Sequence, residues 1–186
     1  MKSSIIIGGK SDQYKRNKAD FYATPSECTI ALLNRFGWLF KDKHIWEPAC
    51  GDGAISKVLE GRGYSVKSSD LYDRGYGQSG VDFLNSDDNC DAIITNPPFN
   101  LASSFIEKAS NKRVPFAMLI KATYWHAEKR RQLFIDTGPM AVIAMTWRPA
   151  MSPERGASAT MDFIWTVWAE NPTEDTKYFV ERKPKY

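Results

Sequence analysis

Strand-like and helix-like segments alternate along this 186-residue chain. That alternation predicts an α/β domain of three layers, with helices on both faces of a mainly parallel sheet. Two further observations point the same way. A glycine turn, Cys50-Gly51-Asp52-Gly53, separates an apolar strand from an amphipathic helix, which is the opening half of a βαβ unit. Asn96-Pro97-Pro98-Phe99 then cuts off a second apolar strand, Asp91 to Thr95, ahead of a helix-like run from Leu101 to Asn111.

The elements can be justified in order. Residues 1–19 carry Gly8, Gly9 and the charged run Lys15-Arg16-Asn17-Lys18, with little to bury, and read as a flexible basic segment. Residues 20–186 are expected to form a single domain. Thr24 is placed as an N-cap, with Pro25 at the first helical position and Glu27 where a capping box needs it. Ile30, Leu32, Leu33, Phe36 and Leu39 give that helix a buried face. His44 to Ala49 reads as a strand, and the glycine turn leads to a helix through Leu59 that ends at Gly61 and Gly63. Ser65 to Ser69 is the next strand, ending at Asp70, and a loop with Gly75, Gly77 and Gly80 leads to Val81-Asp82-Phe83-Leu84. Beyond Asn111 follow a strand from Val114 to Ile120, a basic helix from His126 to Ile135, and strands from Ala141 to Trp147 and Met161 to Trp168. Only the loop Arg148 to Thr160 joins the last two, and it lacks a helical period, so they are expected to be antiparallel neighbours.

Composition removes several classes of function. Apolar residues make up 42% and charged residues 25% of the chain, as in ordinary globular domains. No apolar run approaches the roughly 20 residues that span a bilayer, and no signal peptide is visible, so a cytoplasmic protein with no membrane partner is expected. Three cysteines in no paired pattern fit a reducing compartment, and two histidines make a histidine-rich metal site a poor expectation. A formal charge of +3 permits a nucleic-acid partner without arguing for one.

The chemistry concentrates where the prolines stop the strand. Asn96 must turn out at the carboxyl end of its strand, where open α/β sheets bind ligands. Its amide oxygen and the carbonyls beside Pro97 and Pro98 have no ladder partner, and Phe99 offers a flat apolar face. Together they form a socket for a planar group bearing an NH2; the plain alternative is a turn that ends a strand. Glu47, Asp70 and Asp82 fall at or just beyond the carboxyl ends of successive strands. An acid about 20 residues beyond a glycine turn is placed to accept hydrogen bonds from ribose hydroxyls, which suits Asp70. The glycine turn Cys50-Gly51-Asp52-Gly53 opens neither a G-x-G-x-x-G nor a G-x-x-x-x-G-K-[ST] pattern, and the acids would repel phosphate. A cationic, ribose-bearing ligand fits better, although each acid alone could be a cap or a solvated turn.

Glu47-Pro48-Ala49-Cys50-Gly51-Asp52-Gly53 followed by Asn96-Pro97-Pro98-Phe99 resembles the S-adenosylmethionine-dependent amino-methyltransferases, most closely the DNA adenine-N6 enzymes of the small phage and prophage type. The resemblance runs from about Tyr22 to Trp168. It implies a Rossmann-like class I methyltransferase fold, a seven-stranded sheet with its last strand antiparallel. It further implies that Glu47, Pro48, Ala49 and Gly51 hold the methionine part of the cofactor. Asp70 and Leu71 would hold the ribose, and Asp82 with Phe83 the adenine. Tyr22, Thr24 and Pro25 match the element that closes over the cofactor, and Asn96 lies beside it.

The mechanism follows from the residues. The exocyclic nitrogen of adenine is a poor nucleophile, because its lone pair is delocalised into the ring. Asn96 and the Pro97 carbonyl can each accept one amino hydrogen, drawing the nitrogen toward a tetrahedral shape, while Pro98 shapes the turn and Phe99 stacks on the base. Only 42 residues separate Gly53 from Asn96 and nothing of domain size follows Trp168, so no separate target-recognition domain is expected, and target choice should be short or relaxed. DNA is the expected partner of a monomer or homodimer, consistent with a restriction-modification setting. Trp147, Arg148, Arg155, Lys129 and Arg130 are the candidate contacts. RNA amino groups or a protein glutamine are the alternative substrates, and Asn96 in place of Ser weighs against cytosine-N4 chemistry.

Overall fold

A computed structural model describes residues 22–151 and 161–185. The basic segment 1–19 and Arg155 lie outside the described residues. Seven strands form one sheet in the order β2-β1-β3-β4-β6-β5-β7. They are β1 (His44–Glu47), β2 (Ser65–Ser68), β3 (Ala92–Thr95), β4 (Phe116–Lys121), β5 (Ala141–Met145), β6 (Phe163–Trp168) and β7 (Lys177–Glu181). β2, β1, β3 and β4 pair in parallel, β6 runs antiparallel to both β4 and β5, and β7 pairs in parallel with β5. Every strand except β6 therefore points its carboxyl end at the same rim.

The predicted fold class stands, with two adjustments. The antiparallel strand is β6 rather than the last one, because the chain continues past Trp168 into β7. The alternating Lys177-Tyr178-Phe179-Val180-Glu181 has the pattern of a half-buried strand. The second adjustment is that Val81 to Leu84 is a turn. The Asp82 carboxylate accepts the Leu84 N–H at 3.0 Å and the Asn85 side-chain N–H at 2.6 Å. Those bonds satisfy locally the backbone that a strand would have offered to a neighbour.

Among the described residues four α-helices flank the sheet: α1 (Ser26–Phe40), α2 (Ala54–Glu60), α3 (Ala102–Asn111) and α4 (Arg131–Thr137). The basic helix expected from His126 begins instead as a 3₁₀ turn, Glu128–Arg130, that runs into α4. Alternation along the strands divides the core into two layers. Ile45, Ile94, Leu119, Ile143 and Trp165 face α1 and α2, while Trp46, Ile93, Met118, Val142 and Trp168 lie among α3 residues. Trp165, fully buried, donates its indole N–H to the Cys28 carbonyl at 2.8 Å and so fastens α1 to the middle of the sheet. Among the described residues no helix is long and apolar enough to cross a membrane.

Candidate active site

One cleft opens on the rim formed by the carboxyl ends of β1, β2 and β3, and its walls are the sequence motifs brought together. Glu47, Pro48 and Ala49 come from β1 and the start of its turn. Asp70 and Leu71 follow β2, and Asp82 and Phe83 come from the turn before β3. Asn96, Pro97, Pro98 and Phe99 follow β3, and Tyr22 and Thr24 reach over from the segment ahead of α1. Pro25 and Gly51 stand just behind this lining: Pro25 caps α1, and Gly51 forms the bend of the turn.

The glycine turn is held from below by two acids. Glu47 is 2% exposed, and its Oε2 accepts the backbone N–H of Ser56 at 2.8 Å and a short bond from the Ser56 hydroxyl. Burial pushes the Glu47 carboxyl well above its usual range, against the pull of the two Ser56 hydrogen bonds, and Asp52 and Asp70 push it further. Asp70 Oδ2 accepts the Gly51 N–H at 2.9 Å and its Oδ1 accepts the Tyr72 N–H at 2.9 Å. Both acids thus brace the backbone around the cleft as well as lining it.

Asp52 is the residue that the sequence reading left out. It lines the cleft, and its Oδ1 is buried without a hydrogen-bond partner among the described residues. A buried anionic oxygen with no partner is costly unless a ligand supplies one. The signal was present, since Asp52 sits between the two glycines of the turn, but its orientation depends on the turn itself. Gly51 and Gly53 take positive φ angles of 57° and 80°, a region that side chains disfavour.

On the opposite wall Asn96 is fixed in one orientation. Its Nδ2 donates to the Tyr22 carbonyl at 3.3 Å and to the Thr24 hydroxyl at 3.1 Å, and its Oδ1 is buried with no partner among the described residues. The expected capping role of Thr24 is not taken up: Pro25 is the N-cap of α1 and no side chain caps it. Phe99 is stacked on Tyr22 with centroids 5.2 Å apart and ring planes 20° apart, and the Lys121 ammonium lies 4.0 Å from its ring centre. Lys121, the last residue of β4, was also missed; a charge closing an apolar strand on this rim was the available sign.

Cys50 lines the cleft too, but burial and the nearby Glu47 and Asp70 push its thiol up to about 12, which leaves it protonated and unreactive. The nucleic-acid candidates lie outside this lining. Arg148 follows β5 and pairs with Asp162 at 2.8 Å. The Trp147 indole N–H is buried and lacks a partner among the described residues. Arg130 donates to the Tyr124 carbonyl at 2.7 Å and lies over that ring, whereas its neighbour Lys129 is exposed.

No protein-family model and no curated protein sequence matches the chain. Solved structures do match it. One, provisionally assigned as a class I S-adenosylmethionine-dependent methyltransferase from Listeria monocytogenes, is 15% identical with a TM-score of 0.61, over 88% of this chain and 66% of that one. The fold is that of the class I methyltransferases. A modification subunit of a type I restriction enzyme from Vibrio vulnificus, also a provisional assignment, gives a TM-score of 0.64 at 13% identity. It is matched over 92% of this chain and 49% of its own. A structure provisionally assigned as an RNA methyltransferase from Pyrococcus horikoshii gives 0.58 at 14% identity, over 79% of this chain and 84% of that one. This chain therefore spans about two thirds of the Listeria protein and about half of the Vibrio subunit.

Proposed function

We propose that the cleft binds S-adenosylmethionine and that the chain transfers its methyl group to the exocyclic N6 amino group of adenine in DNA. The observation that carries this reading is Asn96. A buried amide oxygen with no partner among the described residues, its nitrogen engaged on the other side, is an acceptor waiting for a donor. Pro97 and Pro98 follow it directly, so the turn offers carbonyls and no competing N–H. A planar NH2 group supplies the missing donors.

The cleft suits the cofactor. Asp52, Asp70 and Asp82 line it beside the buried Glu47, and these acids favour a ligand carrying an ammonium and a sulfonium while disfavouring a pyrophosphate. Asp52 has an oxygen without a partner among the described residues to meet the ammonium, and Asp70 and Asp82 keep lone pairs for hydroxyl and amine donors. When bound, S-adenosylmethionine supplies an electrophilic methyl group on its sulfonium. The rest is the work of the chain. Asn96 Oδ1 and the Pro97 carbonyl each accept a hydrogen bond from one amino hydrogen and stabilise the positive charge that grows on the nitrogen. Removing one acceptor of this kind from a preorganised site costs about 3 kcal/mol of transition-state stabilisation. Phe99 presents an aromatic face to the base. Tyr22 is stacked on that ring and the Lys121 ammonium lies over it, so the base takes its place there by displacing one of them. An adenine in a duplex must leave the stack to arrive here, at a cost of a few kcal/mol.

The likeness to a restriction-enzyme modification subunit supports DNA, and that to an RNA methyltransferase keeps RNA as the second reading. Incubation with methyl-labelled S-adenosylmethionine and separate DNA, RNA and protein pools tests both. The expected outcome is label in N6-methyladenine of DNA, reduced on the order of a hundredfold by Asn96→Ala while calorimetry shows cofactor affinity retained. Label in RNA alone, or an Asn96→Ala variant with near wild-type turnover, counts against the proposal.

A further inference from the structure

We infer that Thr24 is a positioning residue: with the Tyr22 carbonyl it sets the polarity of the Asn96 amide, so that the oxygen and not the NH2 faces the substrate. The inference rests on the reading of Asn96 as the amine acceptor and adds what makes it one.

A terminal amide can turn over and exchange its oxygen for its nitrogen at little intrinsic cost, so something must decide between the two orientations. Here the deciding partners come from a distant part of the sequence, the segment ahead of α1. A backbone carbonyl accepts and never donates, so the Tyr22 oxygen, 3.3 Å from Nδ2, requires the NH2 on its side. The Thr24 hydroxyl takes the second amide hydrogen at 3.1 Å. With both N–H groups engaged, the oxygen is left alone on the other side, buried and unpartnered among the described residues. Turning the amide over would set Oδ1 against the Tyr22 carbonyl and bury an NH2 where the substrate amine must donate. Engaging both N–H groups also polarises the amide and makes its oxygen a stronger acceptor.

Thr24 is suited to the task. It is 5% exposed, which holds its hydroxyl in place, and it does not cap the helix that follows it. Its own O–H proton remains available to a ligand, so the segment that lines the cofactor side of the cleft also orders the amide on the substrate side. A chain with this segment displaced would keep Asn96 and lose its direction.

The test is a double-mutant cycle between Thr24→Val and Asn96→Ala, read as single-turnover methyl transfer. Thr24→Val alone is expected to slow transfer at least tenfold, and Thr24→Ser to restore most of it. In the Asn96→Ala background Thr24→Val should add almost no further loss, because the amide it acts through is gone. Losses that multiply would overturn the inference, since Thr24 would then act on the cofactor or on folding independently. A second measurement does not depend on activity. In protein labelled with ¹⁵N-asparagine, the Asn96 side-chain NH2 protons should exchange slowly with solvent in the wild type and Thr24→Ser, and rapidly in Thr24→Val. Equally fast exchange in all three overturns the inference. If exchange follows the expected order but no amine is methylated, the positioning stands and the methyltransferase reading is what fails.

Discussion

Glu47 and Asp52 flank the same glycine turn but are satisfied differently. Glu47 is bonded to Ser56 through both the backbone and the hydroxyl, whereas an oxygen of Asp52 has no partner among the described residues. Replacing Asp52 by Asn removes a half-buried carboxylate and keeps the shape. The ligand-free protein should gain about 1 kcal/mol in urea denaturation, while calorimetry should show weaker S-adenosylmethionine binding. Gain without loss of affinity would mean that Asp52 does not meet the cofactor. Glu47 makes a prediction in pH. Burial raises its folded-state value above the usual 4.5, so between 4.5 and that higher value the folded chain holds a proton that the unfolded chain has released. The stability from this group is therefore present below pH 4.5 and is lost as pH rises through the folded value. Against Glu47→Gln, which does not titrate, the wild type should lose unfolding free energy across that window. Parallel pH profiles for the two proteins would refute it.

At the scale of elements, the entry to α2 rests on Gly53. Its φ is 80°, and a Cβ built there would lie 2.5 Å from the Tyr76 ring. Tyr76 is held by hydrogen bonds from its hydroxyl to the Glu60 carboxylate at 2.9 Å, so it cannot simply swing aside. Gly53→Ala thus meets two obstacles, a left-handed backbone costing roughly 1–3 kcal/mol and a collision. Adding Tyr76→Ala should recover the collision and leave the backbone cost, a partial rescue that chemical denaturation can measure. Full rescue would mean that the backbone carries no strain. The same turn explains why α2 begins where it does: with Gly53 as the N-cap and no side chain to cap it, Glu47 satisfies the orphan N–H of Ser56 from below.

For the whole molecule, the proposed DNA substrate requires a chain of net charge +3 to grip a polyanion. Arg148 stands on the rim beyond β5, but it faces Asp162, and their side chains are 60% and 61% exposed. An exposed pair of this kind is worth under about 1 kcal/mol and breaks readily in favour of a phosphate. Two variants should therefore shift DNA affinity in opposite directions. Arg148→Ala should weaken binding and reduce the salt dependence by about 0.9 in log–log slope, the value for one phosphate contact. Asp162→Ala should strengthen binding by releasing the arginine. Anisotropy titrations from low to moderate salt read both, and a shift in the same direction for the two variants would remove Arg148 from the DNA face. Cofactor affinity should stay unchanged in each, since neither residue lines the cleft.

The sequence alone determined the features that come from local chemistry. Two consecutive prolines had to end β3 at its carboxyl end, glycines had to form the turn before α2, and apolar period had to place the strands and most helices. Those constraints act within a few residues of the chain, and with the rule that parallel sheets gather ligands at one rim they were enough to bring Glu47, Asp70, Asp82 and Asn96 to the same cleft. Tertiary structure decided what depends on partners far apart in sequence. Thr24 reads as a helix cap until Asn96, 72 positions away, takes its hydroxyl. β7 exists because β5 offers it an open edge to pair with. The direction of the Asn96 amide was the deepest of these, because an asparagine carries donor and acceptor alike and only its surroundings choose which one is left unpartnered among the described residues.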